Sequence, residues 1–235
     1  MTEQTLTIAD IVPRFPETRI ALVLAGGLAI APERSAALAA EIAEAEAAAP
    51  TGPVSAEPRI AAWREAYKGF GIRKTSYRCS VERLLRSVQA GRGLPRINSL
   101  VDCYNAVSLR HLMPLGADDA DRLDGQLAFR YARPGDSFRP LGGDGETEDP
   151  PKDGEVVYAD AAKILCRRWN WYQDARSAVS PDSRLVVLTV QAMAPAPLED
   201  AVADLAESLS RHCGARTAHA IADADSPTVT VSLDR

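Results

Sequence analysis

Two runs of this chain concentrate the side chains that do chemistry. Cys166-Arg167-Arg168-Trp169-Asn170-Trp171-Tyr172-Gln173 places two arginines, two of the three tryptophans and an amide within eight residues, in a chain only 6% aromatic. Guanidinium groups hold a phosphate or a developing oxyanion, and indole rings wall an apolar slot. If the run is extended, successive side chains alternate between faces, so Arg167, Trp169 and Trp171 share one side and Arg168, Asn170 and Tyr172 the other. Either face suits a polar pocket with aromatic walls; the same residues also suit a core of tryptophans edged by arginines. The second run, Leu94 to Ser108, carries Asn98, Asp102 and Asn105 at helical spacings of four and three, beside an apolar stripe of Leu100, Val101, Tyr104 and Val107. Three short polar groups on one stripe could face a cleft, or could act as caps and solvent-facing residues.

The elements that must position these runs follow from periodicity and punctuation. A strand is expected over Arg19 to Ala25 and, after Gly26-Gly27, a helix from about Pro32 to Ala49. No glycine-rich phosphate motif continues from Gly26-Gly27, so the pair reads as a turn. Helices are expected from Pro58 to about Gly69 and from Ser80 to Ala90, the second capped by Ser80, and another starts near Asn98. Strands follow at Gln126 to Tyr131 and Glu155 to Asp160, with a Gly/Pro/acid-rich loop over Leu141 to Gly154 between them. Arg184 to Gln191, Pro197 to Cys213 and Ala218 to Leu233 read as strand, helix and strand. The fold class is α/β (α+β), with mixed sheets and packed helices. One domain is expected over 1–235, comprising a β-α unit over about 1–55, a core over about 59–192 and a β-α-β segment over about 184–235.

Composition narrows the chemistry. With 46% hydrophobic and 25% charged residues the balance is that of a globular protein, and its longest apolar stretch falls short of the roughly 20 residues of a membrane helix. The polar start lacks the features of a secretory signal, so the cytoplasm is the expected compartment. Four cysteines without a C-x-x-C pair and three histidines without ligand spacing argue against a metal site, and neither metal nor cofactor is expected. The net charge of −5 conceals a basic stretch: from Arg59 to Arg96 ten lysines and arginines face two acids, giving +8. Such a surface could contact phosphates, with Arg73, Lys74 and Arg78 as its expected RNA contacts; solvated helix faces are the alternative.

Three motifs carry a resemblance. L-P-x-I-N-x-L-V-D-x-Y-N-x-V-S-L (Leu94 to Leu109), G-E-V-V-Y-A-D (Gly154 to Asp160) and C-R-R-W-N-W (Cys166 to Trp171) make the region from about Arg59 to Ala192 similar to free-standing relatives of the B3/B4 module of the phenylalanyl-tRNA synthetase beta subunit, which houses that enzyme's editing site. The resemblance implies a B3/B4-like fold and hydrolysis of a mischarged aminoacyl-tRNA ester, with tyrosine or another phenylalanine-like amino acid as the error. Its implied partners are the aminoacyl end of a tRNA and the small aromatic amino acid moiety. A hydrophobic synthetic site rejects an added hydroxyl only about 10²-fold, which is why a second sieve is useful. On this basis Trp169 or Trp171 would wall the aromatic group, and Asn98, Asn105, Glu155 or Asn170 would meet its polar end. Arg167 or Arg168 would hold a phosphate or the ester carbonyl, and a carboxylate (Glu155, Asp160 or Asp102) would orient the water. The sequence departs from the synthetase module at Gly116, where that module has a histidine, and near Gln173 to Ser177, where Asp174 is the nearest carboxylate to its editing glutamate. A tRNA- or amino-acid-binding module that has lost the editing residues is the competing expectation.

Overall fold

A computed structural model describes residues 1–73, 76–144, 146–193 and 195–234. Among them are ten strands, arranged in two sheets, and five α-helices. The strands are β1 (Thr2–Thr7), β2 (Thr18–Gly26), β3 (Leu115–Asp119), β4 (Leu127–Tyr131), β5 (Val156–Ala159), β6 (Ile164–Arg167), β7 (Tyr172–Gln173), β8 (Leu185–Met193), β9 (Arg216–Ala222) and β10 (Thr228–Leu233). The helices are α1 (Ala36–Ala47), α2 (Pro58–Gly69), α3 (Ser80–Gln89), α4 (Ser99–His111) and α5 (Leu198–Cys213). One sheet has the order β10-β1-β4-β5-β6-β7 and the other β3-β8-β2-β9. The α/β class with mixed sheets and packed helices is the architecture found.

Sheet positions follow from composition. β2 is apolar and buried along almost its whole length, as a central strand must be, and it pairs antiparallel with both β8 and β9. The segment expected as one terminal strand from Ala218 is instead the pair β9 and β10, turned at 223–227, and it crosses from one sheet to the other. β10 lies antiparallel along β1 from Thr2↔Leu233 to Thr7↔Thr228.

The helices show how local chemistry sets boundaries. α1 begins later than Pro32 because the Ser35 side chain accepts the Leu38 N–H and caps the helix there. α3 is preceded by Cys79, and Ser80 lies inside it as the first residue. α5 has Glu199 and Asp200 in its first turn and Arg211 and His212 in its last, matching the helix dipole, and Gly214 ends it in the left-handed conformation at φ 66°. α4 is buried from Ser99 to Leu109, all round its circumference, packed by α1, α3, α5 and β3. Its polar residues therefore either find partners within the protein or face the cleft.

Candidate functional site

A cleft of about 730 Å³ opens where the β3 edge of one sheet meets the β7 edge of the other, roofed by α3 and α4. The Gln173 side chain ties the two edges together, donating to the Ala117 carbonyl at 2.7 Å and to Asp118 Oδ1 at 3.1 Å. Asn105, Asn170 and Trp171 all line this cleft, so the asparagine-bearing helix and the tryptophan run border one hollow.

The tryptophan run is not a continuous ribbon. β6 ends at Arg167, and Arg168 (φ 49°) and Trp169 (φ 68°) take left-handed backbone conformations that reverse the chain into β7. Alternation between faces therefore breaks at this point. Trp169 is fully buried against Phe15, Trp63 and Phe70, with ring centroids 5.1, 5.3 and 6.1 Å away, and does not line the cleft. Arg167 is 1% exposed and forms a two-pronged pair with Glu155, both contacts 3.0 Å, while also reaching Asp149. Arg168 lies between the Tyr77 and Trp171 rings, 3.8 and 4.3 Å from their centroids, and burial lowers its pKa.

The three carboxylates expected to orient water are committed elsewhere. Glu155 is buried beneath the Arg167-to-Trp171 turn, where it takes the Arg167 guanidinium and the Arg168 N–H. Asp160 accepts from Lys163 Nζ at 2.7 Å and from the N–H groups of Asp124, Ala162 and Lys163. Burial alone would raise its pKa, but these donors together hold it below the ordinary value. Asp102 pairs with Arg34 at 2.6 Å and accepts the Ile97 N–H. Asn98 caps α4 by accepting the Val101 N–H at 2.9 Å. None of these four lines the cleft. On α4 the cleft-facing stripe is Val101, Tyr104 and Asn105, a mixed set in place of the all-polar one expected.

Asp118 is the carboxylate that the cleft does contain. It sits on β3, 5% exposed, with Oδ1 accepting from Ser177 Oγ at 2.6 Å and Gln173 Nε2 at 3.1 Å. It forms no ion pair with a described residue, and burial pushes its pKa up to about 7, against those hydrogen bonds and the field of Lys163. The Tyr158 hydroxyl, on the cleft wall, is buried without a hydrogen-bond partner among the described residues. Asn170 is held firmly: it accepts from Tyr67 Oη at 2.9 Å and donates to Gln191 Oε1 at 3.0 Å, and Gln191 in turn donates to Thr189 Oγ1 at 3.0 Å. The Asn105 amide makes no side-chain hydrogen bond to a described residue. Asp118, Tyr158, Thr189 and Gln191 were not singled out from sequence. The signal for the last two is legible in β8, where they are the polar residues at alternate positions of an apolar strand.

The lip of the cleft is basic. Arg78, Arg83, Arg86 and Arg92 all reach it. Arg64, Arg78 and Arg86 share the single buried carboxylate of Glu82, so three cations face one anion. Burial opposes ionisation of Glu82, and the guanidinium hydrogen bonds outweigh it, lowering its pKa. Arg73 is exposed and lines a separate hollow of about 240 Å³ beside α2, which Arg78 also borders. Lys74 lies outside the described residues. Among the described residues no cluster of His, Cys, Asp and Glu could hold a metal ion, and no helix is long and apolar enough to cross a membrane.

Residues 62–214 match the model of the B3/4 domain family. The phenylalanine-tRNA ligase beta subunit of Nitrosospira multiformis is 37% identical over 102 residues, and that of Fusobacterium nucleatum is 31% identical over 99 residues. Each match spans 42% of this chain and 12% of the ligase subunit. An N-terminal fragment of the phenylalanyl-tRNA synthetase beta subunit from Pyrococcus horikoshii, solved by crystallography, overlays 90% of this chain and 50% of its own with a TM-score of 0.45 and 14% identity.

Proposed function

This chain belongs to the B3/4 domain family, and on that premise we propose that its cleft receives the aminoacyl end of a tRNA and hydrolyses a mischarged ester, tyrosine on tRNA(Phe) being the expected error. The observation that carries the proposal is Asp118, a buried cleft carboxylate with no ion pair to a described residue and with a pKa of about 7. A general base works best when its pKa lies near the working pH, and Oδ2 of Asp118 is left uncommitted by the hydrogen bonds on Oδ1.

An aminoacyl ester is already activated, so the site needs only a held water, a stabilised oxyanion and correct placement. Asp118 Oδ2 takes a proton from the water as its oxygen bonds to the carbonyl carbon. The carbonyl oxygen becomes an oxyanion within reach of the uncommitted donors Tyr158 Oη and the Asn105 amide. The bond to the ribose oxygen then breaks, and that oxygen takes the proton back from Asp118. The amino acid and the free tRNA end leave. Trp171 walls the acyl group, while Arg83, Arg86 and Arg92 meet phosphates. Ile97 and Leu141, the large exposed apolar residues at the lip, give a nucleobase something to rest on.

Deacylation of tyrosyl-tRNA(Phe) by the purified protein tests this. Asp118→Asn should slow turnover by about 10²-fold or more while retaining tRNA binding. An unaltered rate would remove Asp118 as the base. Salt-sensitive tRNA binding by the wild-type protein with no turnover at all would instead identify a binding module.

A further inference from the structure

Gly116 sits inside β3, paired with Thr189 of β8, in a stretch where a glycine weakens the strand and carries no side chain to pack. Two ordinary reasons for a glycine are absent. Its φ is not positive, unlike that of nine other glycines among the described residues, so any residue could adopt its backbone conformation. Nor is it crowded: a Cβ built there meets no atom within 4 Å. Gly26, the other glycine inside a strand, shows the contrast, because a Cβ there would come within 3.0 Å of Leu233 Cδ2. The space in front of Gly116 belongs to the cleft.

We infer that Gly116 is a specificity-determining residue, kept bare so that the acyl side chain of the substrate can lie directly on the β3 backbone. The assignment rests on the cleft's being the aminoacyl site, and it follows from three placements. Residues two apart on a strand project to the same face, so the space over Gly116 adjoins Asp118, about 7 Å along the strand. A group lying there is the next one along from the ester carbon that Asp118 serves. The arginines of the cleft all come from α3 and its flanking turns, at 78, 83, 86 and 92, and none from β3 or β8. Phosphates and ribose are therefore drawn to the helix side, and the acyl side chain falls to the strand side, over Gly116. Where the synthetase module that this chain resembles has a histidine, the bare backbone here sets the depth available to that side chain, so a residue bearing even a methyl at 116 shortens it.

Two non-hydrolysable probes test this, the 3′-amides of adenosine carrying a tyrosyl or an alanyl group, titrated against the wild-type protein and Gly116→Ala and Gly116→Val. Both variants should fold with a melting temperature no lower than wild type, since the site has room and the new residues favour a strand. The tyrosyl probe should weaken by about 10-fold with alanine and further with valine, while the alanyl probe changes little. Tyrosyl-probe affinity unchanged in both variants overturns the inference, as does equal weakening of both probes. Gly116→Ala decides the matter if the valine variant does not fold. Binding of the tyrosyl probe without deacylation by the wild-type protein sinks the hydrolytic function and leaves this inference standing. Binding of neither probe to the wild-type protein removes both.

Discussion

Asp118→Asn should stabilise the protein, and increasingly so as the solution becomes alkaline. Burial raises the Asp118 pKa from the ordinary 3.8 to about 7. The unfolded chain therefore gives up this proton near pH 4, whereas the folded protein keeps it until about pH 7. Between those values the folded state binds a proton that the unfolded state lacks, so stability falls as pH rises through the window. At 1.36 kcal/mol per pH unit, a separation of about 3 units amounts to about 4 kcal/mol once Asp118 is fully ionised. Asparagine keeps the Oδ1 acceptor for Ser177 and Gln173 and carries no charge to desolvate. Urea unfolding of both proteins at pH 5 and pH 8 measures the effect, because every other titrating group cancels in the difference. The variant's advantage should grow by about 3 kcal/mol between the two and level off above neutrality. A difference that stays constant across that range would refute the assignment of a raised pKa to Asp118. The same ionisation should switch hydrolysis on, so wild-type turnover gains over the interval in which the fold loses stability.

Glu155→Gln should destabilise the fold by about 3 kcal/mol in urea, because it strands the buried Arg167 and Arg168, with Asp149 left as partial compensation. Deacylation per folded molecule should hold, and a turnover loss at unchanged stability would return Glu155 to the reacting group. Arg92→Gln, at an exposed lip position, should leave the melting temperature unchanged and lower the slope of log affinity against log salt for tRNA by about 0.7. An unchanged slope would take Arg92 out of the phosphate path.

The helices and the long strands were legible because their signals are local. The Glu/Asp start and Gly214 stop of α5, and the Asn98 cap of α4, need no knowledge of the rest of the chain. β3 was missed because Leu-Gly-Ala-Asp-Asp contains no β-branched or aromatic residue; pairing with β8, not propensity, makes it a strand. The reversal at Arg168 and Trp169 was missed because two bulky residues at positive φ are rare, and only the buried ring cluster around Trp169 and the Glu155 bond to the Arg168 N–H hold them there. The carboxylates misled for a related reason. Asp102 is taken by Arg34, 68 residues distant, and a partner so far away along the chain leaves no mark on the local pattern. Asp118 went unnoticed for the converse reason, since what distinguishes it is burial without an ion pair to any described residue.

The β1–β10 pairing has a consequence for folding. Strand β1 makes most of its ladder with residues 228–233, Thr5 and Thr230 lying 225 positions apart, and only two of its residues pair with β4. Until so distant a partner docks, β1 has an open edge, and β2 depends likewise on the distant β8 and β9. Removing residues 228–233 would therefore leave the β1 edges of many copies free to join one another, and such a variant should accumulate as aggregate while the cleft-lining residues themselves remain untouched.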